Sequence, residues 1–67
     1  MIVYKLMVDL PFLAKGNQYT FDDEGYVYRV GVDGKPFEYP LRAGLAGYLW
    51  LLMTEKKYLK KMVNTGD

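Results

Sequence analysis

Cysteine, histidine and serine are all missing from these 67 residues. Those three side chains most often act as nucleophile, general base or zinc ligand, so any catalysis would fall to carboxylates, lysine, tyrosine or threonine. Without thiols there is no disulfide framework, and so short a chain must be held by packed side chains, a partner or self-association. A strong charge of one sign is missing too: nine basic residues oppose eight acidic ones, leaving +1. No global field therefore draws the chain to nucleic acid. A long apolar run is absent as well, since the stretch from Ala43 to Met53 falls short of the ~20 residues that cross a bilayer. Lys5 and Asp9 interrupt any apolar N-terminal core, which reads as mature structure and not as a secretory signal.

What is present is 51% hydrophobic, 25% charged and 16% aromatic residues. That balance predicts one small globular domain over residues 1–67. Charge is divided along it: four basic against six acidic residues up to Pro40, then five basic against two acidic.

From Met1 to Val8 the residues alternate, with Ile2, Tyr4, Leu6 and Val8 on one side and Val3, Lys5 and Met7 on the other. This predicts a strand with one strongly apolar face. Pro11 ends it, having no amide to donate, and Leu13 to Gly16 reads as a connecting turn. Two aromatic runs, Gln18 to Asp22 and Tyr26 to Val32, flank Asp23-Glu24-Gly25 and predict a hairpin. Pairing is expected to set Tyr19 and Phe21 against Tyr26, Tyr28, Val30 and Val32 on one buried face. Asp33-Gly34 suggests a type I′ turn into a short returning strand at Phe37 and Tyr39, which Pro36 and Pro40 confine to an edge.

Beyond Pro40 the period becomes helical: Leu41, Leu45, Tyr48 and Leu52 recur at steps of four, three and four. The stripe meets Glu55 and Lys56 where an apolar residue is due, so a break is expected near Thr54. Thr54 then caps a second helix whose apolar face is Tyr58, Leu59, Met62 and Val63. The prediction is an α+β fold: a meander of three or four antiparallel strands over residues 1–40, then one broken or two short helices over 41–63 on one sheet face. Residues 64–67 have the composition of a frayed tail.

The stretch Lys5-Leu6-Met7-Val8-Asp9-Leu10-Pro11, then Gly16, then Phe21-Asp22-Asp23-Glu24-Gly25-Tyr26-Val27-Tyr28 resembles a pattern in small uncharacterised phage and prophage proteins. A similar module is appended to some bacterial DNA methyltransferases. The resemblance covers the first half of the chain. It implies a bacterial virus or mobile element as the source, the host cytoplasm as the location, and a protein that binds and disables a host factor, in the manner of anti-CRISPR proteins.

Asp22-Asp23-Glu24 is the one carboxylate cluster, too short for a calcium loop and explained by a tight turn. No catalytic residue, metal ligand or cofactor site is assigned. The most informative stretch is Leu45 to Met53, apolar all round. A helix on one sheet face needs only a stripe, so Trp50 and Leu51 or Met53, which lie off it, are candidates for contact with a partner protein or a second copy in a homodimer, with Tyr48 as a further aromatic anchor. Gly44 and Gly47 fit that expectation, because close approach by another backbone offsets their cost to a helix. The alternative is a nucleic-acid module in which Lys56, Lys57, Lys60 and Lys61, on one side of the terminal helix, work with Arg29 and with the tyrosines at 19, 26, 28 and 39.

Overall fold

The computed structural model describes residues 1–62 and has an α+β fold. Strands β1 (Val3–Leu6), β2 (Gln18–Phe21) and β3 (Val27–Val30) form an antiparallel meander. A single helix, α1 (Ala43–Glu55), follows, and then β4 (Leu59–Lys61). The sheet order is β3-β2-β1-β4, with β4 antiparallel to β1.

β1 keeps the expected alternation over Val3–Leu6 alone: Val8 lies outside the strand, and Ile2, expected on the apolar side with Tyr4 and Leu6, precedes it and is 52% exposed. Leu6 is fully buried and Tyr4 packs against the core, while Val3 and Lys5 take the other face. Leu6, Leu13, Tyr19 and Val27 meet Ala46, Leu49 and Leu52 of α1 and Leu59 of β4 in one cluster. Each fully buried leucine there contributes about 1.5–3 kcal/mol relative to exposure. Leu13, expected in a turn, enters the core because Leu10 and Leu13 exchange backbone hydrogen bonds of 2.9 and 3.0 Å around Pro11-Phe12. The tight turn forces Phe12 to φ 67 with its side chain 93% exposed. Glycine would take that conformation without strain.

The β2–β3 hairpin forms where expected, but its register puts different residues on the buried face. Tyr19 lies opposite Arg29, Thr20 opposite Tyr28 and Phe21 opposite Val27. A loop of three residues, 23 to 25, pairs odd positions with odd, so Tyr28 and Val30 face away from Tyr19 and Phe21. Tyr26 and Val32 are exposed at 49% and 111%. Gly25 adopts φ 95, and the Gly25 amide donates to Asp22 O at 3.2 Å.

Asp33-Gly34 builds a second loop of the same kind in place of the expected type I′ turn. Gly34, at φ 80, donates to Gly31 O, and Gly31 donates to Lys35 O at 2.8 Å. The returning strand at Phe37 and Tyr39 shrinks to one bridge between Val30 and Pro36. Proline's missing amide prevents a longer ladder. The segment still follows the outer edge of β3, with Phe37 donating to Arg29 O and Leu41 to Val27 O.

The second helix is replaced by a strand. α1 ends at Glu55, and Lys56 turns left-handed at φ 55, its amide donating to Leu52 O and Met53 O. Thr54 lies inside the helix, where its hydroxyl donates to Trp50 O at 2.8 Å, and caps nothing. Leu59–Lys61 pair with β1, Met7 donating to Tyr58 O and Met62 to Val3 O. Without that pairing β1 would present an open edge, and burying Leu59 rewards the extended form. Val63 and the tail 64–67 lie outside the described residues.

Candidate functional site

Among the described residues the one helix covers one face of the sheet. The opposite face carries Val30, Gln18, Lys5 and Lys60 in one row and Tyr28, Thr20 and Val3 in the next, as the registers dictate. Val30 and Thr20 are nearly buried there, and the Thr20 hydroxyl donates to Ile2 O at 2.8 Å. Beside the second row, reaching the end of the sheet at Phe21 and Asp22, lies a groove of about 390 Å³ that Thr20 and Tyr28 of this face line together with Met1, Ile2, Pro36 and Phe37. Met1, Ile2 and Phe37 remain 59%, 52% and 47% exposed at its rim. An open apolar cluster with polar surroundings has the chemistry of a contact surface.

Lys5 and Lys60 stand directly opposite each other on this face. Like charges so placed destabilise a sheet by roughly 0.2–1 kcal/mol. Lys60→Glu is therefore expected to stabilise the fold by about 0.5 kcal/mol, raising the thermal midpoint by about 3 °C. A midpoint unchanged or lowered in a thermal melt would show that the two ammonium groups avoid one another.

The helical candidates divide. Tyr48, Trp50 and Met53 are half-buried and pack against the core; Leu51 is 53% exposed. Trp50 donates from Nε1 to Gly25 O at 3.0 Å, and its ring meets Phe21 edge-on at 4.7 Å; Phe21 in turn meets Tyr4 at 5.2 Å. The indole thus ties α1 to the β2–β3 loop. Among the described residues outside the neighbouring turns of α1, nothing lies within 4 Å of where a Cβ at Gly44 or Gly47 would sit, so neither glycine is there for close packing against another described segment. Gly47→Ala should stabilise the helix by about 1 kcal/mol, read as a higher urea midpoint with an unchanged slope.

The basic candidates do not share a face. Lys56 caps α1, and the Lys57 ammonium lies 5.2 Å from the Tyr58 ring centre. Lys60 and Lys61 are adjacent strand residues, so their side chains take opposite sides of β4. Arg29 belongs to β3 at the far end of the sheet order, where it donates to Asn17 Oδ1 at 3.2 Å and lies over the Phe37 ring at 5.3 Å. Of the four tyrosines, Tyr19 is in the core, Tyr28 faces the other way, and Tyr26 and Tyr39 are exposed.

No family model, curated protein or solved structure matches this chain. Its chemistry must be read from its own side chains. Asp22 Oδ1 accepts the amides of Glu24 and Tyr26 at 3.0 and 2.8 Å, the work of a turn residue. Among the described residues no three His, Cys, Asp or Glu side chains group closely enough to hold a metal ion. No helix among them is long and apolar enough to cross a membrane.

Sequence reasoning missed Met1, Ile2, Pro36 and Phe37 as a group, because two segments more than thirty residues apart come together beside the hairpin. The Leu59-Lys60 alternation was the available signal for Lys60, masked by the helical period before it.

Proposed function

We propose that this protein is a non-catalytic contact module that docks a partner protein on the helix-free face of its sheet. The observation that supports this is the groove on that face, rimmed by the exposed Met1, Ile2 and Phe37. An antiparallel sheet usually keeps its second face polar and solvated; an exposed apolar patch beside such a face invites a partner. The phage-type, host-inhibiting form of the proposal, acting in the bacterial cytoplasm, is supported by the resemblance of Lys5–Pro11 and Phe21–Tyr28 to phage and prophage proteins. Nucleic-acid binding is the weaker reading, since Arg29, Lys56, Lys57, Lys60 and Lys61 offer no common basic surface.

Capture from a bacterial lysate by the immobilised protein tests the proposal, with Ile2→Glu and Leu51→Glu compared with the parent. Both substitutions sit on exposed side chains and should leave the fold intact. A specific protein retained by the parent and by Leu51→Glu, yet lost with Ile2→Glu, is the expected result. Loss with Leu51→Glu alone would move the contact surface to α1. Sedimentation of the same variants reads whether a second copy uses the same face.

A further inference from the structure

We infer that the partner segment docking on the helix-free face is acidic and carries an apolar anchor, the anchor entering the groove and a carboxylate reaching the ammonium groups of Lys5 and Lys60. The inference rests on the surface proposed above and adds the chemistry of its occupant. Lys5 and Lys60 are opposite in register and Gln18 is opposite Lys5 on the other side, so the row presents two cations and an amide together. Each lysine has a like charge as its cross-strand neighbour, and a carboxylate placed between the two supplies the complement. Groove and cations are close enough for one segment. Thr20, which lines the groove, is opposite Val3, and Val3 is two residues from Lys5 on the same face, about 7 Å along the strand, which an extended peptide covers with equally few residues.

A protein segment suits this surface better than a phosphate backbone. Asp22 lines the groove, and Asp23 and Glu24 sit exposed in the same loop. A polyanion tracking from the lysines across the groove would run into those carboxylates, whereas a peptide is uncharged where its anchor lies.

Selection from a random-peptide display library on the full chain tests this, with a synthetic copy of the most enriched peptide measured by fluorescence anisotropy. The expected result is enrichment of Asp or Glu within three residues of Leu, Ile, Met, Phe or Trp. Affinity should weaken with added salt and fall about tenfold or more in the Lys5→Glu/Lys60→Glu double variant, with an unchanged circular dichroism spectrum. Three results overturn the inference: no enrichment of acidic residues, affinity indifferent to the double substitution, or a single-stranded oligonucleotide bound as tightly as the peptide. Ile2→Glu separates the two levels. Neutral peptides that need Ile2 keep the surface and refute the acidic partner, whereas peptides indifferent to Ile2→Glu refute the surface itself.

Discussion

Replacing Leu49 with alanine is expected to remove most of the folding free energy of this protein. Leu49 is fully buried at the centre of the only contact layer between α1 and the sheet described here. A leucine truncated in such a place costs about 2–5 kcal/mol, from lost transfer energy and the cavity left behind. A domain of this length has roughly 3–10 kcal/mol in all, and small domains lie toward the lower end. The urea midpoint of Leu49→Ala should therefore fall by half or more, with partial unfolding in buffer. Leu51→Ala, two positions along the same helix but 53% exposed, should change stability by less than about 0.5 kcal/mol. Equal effects at both positions would mean that α1 does not pack by this face.

The second large effect is expected at Trp50, whose indole does two separable things. Trp50→Phe keeps an aromatic ring against Phe21 but removes the donor to Gly25 O, and should cost about 1 kcal/mol. Trp50→Ala removes both and should cost about 3 kcal/mol, the lower end for such truncations because the ring is only half-buried. Amide exchange at Glu24 and Tyr26 should quicken in both variants, since the loop they belong to loses its tether to α1. If Trp50→Ala left stability and exchange unchanged while abolishing partner capture, the indole would be an interface anchor and not an internal one.

That distinction was beyond the sequence. A tryptophan in an apolar helix with little sheet to cover it reads as an anchor for something outside, because counting apolar positions around the helix does not reveal where loops will lie. Gly25, 25 positions away in the chain, provides the acceptor. The same blindness affected Tyr28 and Val30. Their alternation was plain, but which face they took depended on whether the loop before them held an odd or even number of residues. At Leu59–Lys61 the helical period of the preceding segment ran on in the pattern, while the open edge of β1 offered backbone hydrogen bonds that only an extended chain could take.

The candidate groove shows the limit most clearly. Met1 and Ile2 precede β1, Thr20 and Tyr28 belong to the hairpin, and Pro36 and Phe37 follow the second loop. Each is unremarkable in its own stretch of sequence, and no local periodicity links them.

Local patterning by itself determined the α+β class, a strand within residues 1–8, the hairpin around Asp23–Gly25 and a helix between Pro40 and Glu55. These follow from alternation, turn chemistry and helical spacing, which act over a few neighbouring residues. Only the tertiary structure decided the register, the conversion of Leu59–Lys61 into a fourth strand, the internal use of Trp50 and the pairing of Lys5 with Lys60. Those depend on contacts between residues far apart in the chain, whose free energy exists only once the sheet has assembled and its edges and faces have found what covers them.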